Sequence, residues 1–129
     1  MRQQVFLAVS AVAEAVFGLF MLAAPAMMLS VFLGYEAPAT GMLLAGRAFG
    51  ATLVTLALAG WFARQKWGPR IEQRLAIGVV VYDVIASTTL VLVGFVLGQT
   101  GVGLWPAVIA HSILGVWGAL DLRQARAST

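Results

Sequence analysis

Four apolar runs, each about as long as a bilayer is thick, leave this chain few ways to fold. A hydrocarbon core about 30 Å thick takes roughly 20 apolar helical residues to cross. Val5–Ala24, Ala39–Ala63, Leu75–Leu97 and Trp105–Leu122 each supply such a run, and together they use up most of the 129 residues. No soluble domain fits in what remains. The alternating pattern of a membrane barrel strand is missing, and open strand edges cannot face lipid, so helices are the economical solution. The expectation is an all-α, polytopic integral membrane protein, with residues 1–129 forming a single four-helix transmembrane bundle. With 61% hydrophobic and 10% charged residues, the chain is far more apolar than a soluble domain.

A secretory signal is the rival reading of the first run. Arg2 gives a positive start, Phe6–Leu22 an apolar stretch, and Ala24-Pro25-Ala26 a small-residue pattern like a cleavage site. Proline within that pattern, Glu14 within the stretch and the continuing apolar run Met27–Leu33 speak against it.

Lys and Arg near helix ends are retained on the cytoplasmic side. Arg2, then Arg64, Lys66, Arg70 and Arg74 in the second loop, then Arg123 and Arg126 in the tail all fall on one side of a four-helix topology. The first and third loops, Pro25–Pro38 and Gly98–Leu104, carry none, so both termini are expected to be cytoplasmic. The same loop cations, with Trp67 beside a Gly68-Pro69 turn, are placed to touch anionic lipid head groups. They form no continuous basic face, which argues against a nucleic-acid partner. Trp61, Trp67 and Trp105 fall near the expected interfaces. Met27–Leu33 is too short to span and reads as a half-turn or short helix lying at the outer surface.

Four ionisable residues interrupt the apolar runs: Glu14, Arg47, Asp83 and His111. A charge at the bilayer centre costs about 2.5–3.5 kcal/mol on insertion scales, so each should face the bundle interior. At about 1.5 Å rise per residue, Glu14 lies about 15 Å below the outer face, Arg47 about 12 Å, His111 about 9 Å and Asp83 about 21 Å. Equal depth on consecutive antiparallel helices makes Glu14 and Arg47 the expected ion pair. Such a pair either fixes helix register or handles a proton, an anion or a polar head group, with Glu14 as carrier, Asp83 as an inner relay and His111 as a candidate ligand. Gly46 and Gly50 in the second span, and His111, Gly115 and Gly118 in the fourth, recur at close-packing spacings. Asp83, Ser87 and Gly94 share one side of the third span.

The chain has no cysteine and one histidine. Thiol redox chemistry, iron–sulfur ligation and a bis-histidine haem within one chain are therefore excluded, and neither a metal site nor a cofactor is expected. Ala107-xxx-His111 with Trp117 resembles the arrangement by which light-harvesting polypeptides hold bacteriochlorophyll, which keeps a tetrapyrrole as a remote reading of His111. No nucleophile elbow, phosphate-cradling loop, HExxH pair or nucleotide fingerprint occurs, so no catalytic residue is assigned and an enzyme is not supported.

At "LAAPAMMLSVFLG" followed by "AGRAFGATLVTLALAGWFAR" the chain resembles the small four-helix bacterial membrane proteins grouped as DoxX-like. The likeness covers roughly the first half: a helix ending in proline, a short apolar outer segment with glycine, then an arginine–glycine motif opening the second span. It implies a multi-pass protein of the bacterial cytoplasmic (inner) membrane. Some DoxX-like proteins resemble subunits of quinone-linked sulfur oxidation. Two functions follow as expectations. One is a small non-catalytic accessory or scaffolding subunit of a larger membrane assembly. The other is a homo-oligomeric transporter of a small molecule, or a proton-coupled one, using Glu14, Arg47 and Asp83. The bilayer, with other membrane proteins or further copies of the chain, supplies the partners.

Overall fold

A computed structural model describes residues 2–66, 68–99 and 101–127. The chain is all-helical over these: α1 (Arg2–Ala23), α2 (Pro25–Leu33), α3 (Thr40–Lys66), α4 (Pro69–Val96) and α5 (Leu104–Ala127). Four of the five are long and apolar enough to cross a membrane: Gln3–Ala23, Thr40–Ala63, Arg70–Val96 and Leu104–Ala125.

Prolines and glycines set the boundaries. Pro25 has no N–H to continue α1, and it opens α2 within the first turn, where that donor would be unsatisfied anyway. The expected half-turn or short helix is thus a nine-residue helix. Gly34 ends it in the left-handed conformation at φ 76°, donating its N–H to the Ser30 carbonyl. Gly68, at φ 81°, turns the chain so that Pro69 can start α4.

Two helix pairs carry the closest packing, α1 with α3 and α4 with α5, and the contacts between the pairs are sparser. Small residues make both pairs. Gly18 and Gly50 face each other so tightly that a Cβ on either would come within 2.8 Å of the other's carbonyl oxygen. Gly46 sits against Met21 and Pro25 on the same face of α3. On α5, Gly115 opposes Asp83 and Gly118 opposes Val80 and Phe6.

The bundle is solid at one end and hollow at the other. Phe6 and Leu7 of α1, Ala76 and Val79 of α4 and Leu122 of α5 form the packed core, with Trp117 edge-on to Phe6 at 5.7 Å. At the opposite end α2 lies across the helices, laced to the α4–α5 loop by the Gly103 N–H donating to the Val31 carbonyl at 2.8 Å. Both loops expected on the outer side therefore meet at one end of the bundle.

Outside the bundle the surface is apolar: Leu19, Phe20, Phe62, Val84, Ile85, Phe95 and Val96 are all exposed. Only 11% of the apolar window of α4 is buried within the fold. The exposed hydroxyls of Thr52, Thr55 and Thr88 each donate to the carbonyl four residues earlier in their own helix. Their polar groups are satisfied without water, as a lipid-facing surface requires.

Candidate functional site

Glu14, Asp83 and His111 converge in the middle of the bundle. Glu14 is 5% exposed and Asp83 fully buried. Asp83 Oδ1 and His111 Nδ1 stand 2.8 Å apart, the one ion pair found among the described residues. One ligand atom from each of the three residues lies within 4.8 Å of the other two. Tyr82 turns its hydroxyl to the Glu14 carboxylate and its ring edge-on to His111 at 5.6 Å. The second Asp83 oxygen, Oδ2, is buried without a hydrogen-bond partner among the described residues. A buried carboxylate with one oxygen unpaired costs about 1–3 kcal/mol or more relative to a satisfied one, so something must repay this arrangement.

The α4–α5 register brings the pair together. Gly115 stands opposite Asp83, Gly118 opposite Val80, and the Ser87 and Ser112 hydroxyls bond at 2.8 Å. His111 lies one turn from Gly115 on the same face of α5, and its imidazole reaches Asp83 across that turn. The depth estimate, which separated Asp83 from His111 by about 12 Å, fails partly because it levels the two helix ends, about 4.5 Å of the error, and partly because the His111 side chain reaches across a full turn of about 5.4 Å. Gly94, not Leu97, packs against Leu104 and Trp105, so α4 overshoots the start of α5.

The expected Glu14–Arg47 ion pair is not made. Arg47 is exposed on α3, with no ion pair or hydrogen bond among the described residues. Gly46, Gly50 and Gly60 face α1, and Gly46, Met42, Ala45 and Phe49 face the interior cavity. At about 100° per residue, Arg47 points roughly 150° away from that cavity face. Depth alone fixed its height and left its direction free. The trio of Glu14, Arg47 and Asp83 is accordingly replaced by Glu14, Tyr82, Asp83 and His111. Nor does the single histidine preclude a metal-competent cluster, because two carboxylates that are distant in sequence join it.

The polar cluster closes one end of a cavity of about 670 Å³ lined by all four long helices and α2. Glu14, Tyr82 and His111 are its polar wall; Phe17, Met28, Phe32, Phe49, Leu90 and Leu114 are among its apolar ones. The small residues Ala86, Ala107 and Ala110 leave the space open. Sequence reasoning missed Tyr82 and the cavity. The signal for Tyr82 is the α4 repeat Tyr82, Ala86, Leu90, a second face beside the one carrying Asp83. Arg70 and Arg74 are exposed at the end of the bundle away from the cavity, while the side chains of Arg64 and Lys66, and Trp67 as a whole, lie outside the described residues.

No protein-family model, curated protein or solved structure matches the chain.

Proposed function

We propose that this is an integral membrane protein that holds one small amphiphilic molecule between its helix pairs. The apolar body of the molecule fills the cavity, and its hydrogen-bonding end meets Glu14, Tyr82 and His111. The cavity carries the reading: about 670 Å³ and half open to its surroundings, with apolar walls and the polar groups gathered on one side. Its size falls within the range of about 300–1,000 Å³ usual for small-molecule sites, and such sites commonly combine apolar walls with a few convergent polar groups. The Lys/Arg distribution supports a bacterial-type orientation with both termini cytoplasmic, which puts α2 and the cavity in the outer half.

The test is native mass spectrometry of the full chain, transferred from its membrane into lipid nanodiscs. A retained amphiphile at one copy per chain is expected, and the variants Ala86→Trp and Ala107→Trp, whose side chains occupy the cavity, lose it while keeping wild-type helicity. A wild-type protein without a retained molecule, or plugged variants that keep it, overturns the reading.

Arg47 favours a second reading, that of an accessory subunit. An exposed guanidinium part-way along a lipid-facing helix needs an anionic neighbour, which a partner helix or a lipid phosphate would supply. Cross-linking from Arg47→Cys in the native membrane, giving one discrete protein adduct, supports the partner; adducts with lipid alone remove it.

A further inference from the structure

We propose that Glu14, Asp83 and His111 bind a divalent first-row transition-metal cation. Three donors of different helices, a carboxylate on α1, a carboxylate on α4 and an imidazole on α5, present ligand atoms within 4.8 Å of one another. Ligands of one such ion, at bonds of about 2.0–2.2 Å, stand about 3–3.5 Å apart, so small side-chain rotations close the set. The Asp83–His111 separation of 2.8 Å is a hydrogen bond that has to open by only a few tenths of an ångström as the metal displaces the shared proton.

One observation and one chemical argument point to a cation. Asp83 is fully buried, yet its Oδ2 has no partner among the described residues. An acceptor left over in a carboxylate that no water reaches is the condition a metal bond satisfies. Charge is the second. With the imidazole neutral, as a metal ligand must be, ionisation of Glu14 and Asp83 would leave two negative charges in the site, and Arg47 of α3 faces the other way. One divalent ion cancels both charges and uses all three groups. A proton on either carboxylate would cancel only one charge and satisfy one acceptor.

Donor chemistry narrows the ion. Imidazole suits zinc, iron, copper and nickel, and carboxylates suit manganese, magnesium and calcium, so a mixed set selects a first-row divalent ion over an alkaline-earth one. Tyr82, which lines the same polar wall as Glu14, would have the supporting role of orienting its carboxylate, as outer groups commonly do at metal sites. The open coordination positions would face the cavity, which three of these four side chains line. The inference stands without an amphiphile in the cavity.

Cobalt(II) is the probe, titrated into the full chain in detergent, purified without a histidine tag. The chain has no cysteine and one histidine, so any imidazole-bound cobalt reports on His111 alone. Expected are one Co²⁺ per chain, visible d–d absorption, displacement by Zn²⁺, and loss of the His111 ring signals from the NMR spectrum by paramagnetic broadening. Tyr82→Phe should weaken binding by about tenfold. Glu14→Gln and Asp83→Asn should abolish it, and Arg47→Gln should leave it unchanged. Should the carboxylate variants not fold, the wild-type NMR titration decides alone. Absence of Co²⁺ uptake by folded wild type, or uptake that leaves the His111 ring signals unperturbed, overturns the site.

Discussion

Asp83 Oδ1 and His111 Nδ1 meet at 2.8 Å across the α4–α5 interface, with the aspartate fully buried and the histidine one-fifth exposed. The contact joins the two helices at the level where the packed core gives way to the cavity. It also gives the carboxylate its one recorded hydrogen bond among the described residues.

Removing either partner should therefore be costly in a way that removing both is not. His111→Ala leaves Asp83 buried with no partner, and breaking buried pairs costs about 3–5 kcal/mol in soluble proteins. Asp83→Asn/His111→Ala should recover part of that loss, since a neutral amide is cheaper to leave in an apolar interior. Unfolding in detergent micelles, by heat or by denaturant, reads the coupling; strictly additive single changes would mean that the contact contributes nothing.

Glu14 and Arg47 should behave in the opposite manner. With Glu14 turned inward and Arg47 exposed on the far side of α3, Glu14→Gln and Arg47→Gln share no contact. Their effects on unfolding should add to within about 0.3–0.5 kcal/mol, the tolerance seen for independent sites. A double variant clearly more stable than that sum would restore the ion pair.

What the sequence makes legible is where the helices begin and end; what it hides is how neighbouring helices are offset along their axes and which way each side chain points around them. Span lengths and the break at Pro25 follow from residue type alone, and the four long helices fall within a few residues of the apolar runs. The partner of Glu14 depends on which face of α1 meets which helix, and residues 46 and 47 differ only by one step of rotation. The required signal exists on two helices. Asp83, Ser87 and Gly94 mark one side of α4, and His111, Gly115 and Gly118 one side of α5; laying those small-residue sides together yields the Ser87–Ser112 bond and the Asp83–His111 pair. The cavity has no such signature, because an absence of side chains is shared among five helices.

The α1–α3 pair rests on backbone approach at Gly18 and Gly50. A methyl group at Gly50 would lie 2.7 Å from the Gly18 carbonyl oxygen and 2.9 Å from the Leu22 nitrogen, all of it backbone that cannot rotate away. Gly50→Ala should destabilise the protein by about 1–3 kcal/mol, as overpacking does. Gly78→Ala, where a Cβ meets nothing within 4 Å, should be neutral or stabilising by up to about 1 kcal/mol through helix propensity. Equal unfolding midpoints for the two variants would remove the close approach as a source of stability.

Topology is the last expectation to test, and the structure chooses the positions. Gly101, though in a loop expected on the outer side, is unsuitable for a reporter cysteine because any Cβ there runs into the Phe32 backbone. Val102, 83% exposed beside it, and the exposed Glu36 serve instead, with exposed Gln4 reporting on the opposite end of the bundle. The chain has no cysteine of its own, so each label is unambiguous. In intact cells an impermeant thiol reagent should modify Glu36→Cys and Val102→Cys and spare Gln4→Cys, because the Lys and Arg residues gather at the end that Gln4 shares. Labelling of Gln4→Cys alone would invert the protein and move the cavity to the cytoplasmic half. Labelling at all three positions would mean insertion in both orientations, the behaviour of an antiparallel dimer, and would favour the homo-oligomeric transporter over a binding protein of fixed orientation.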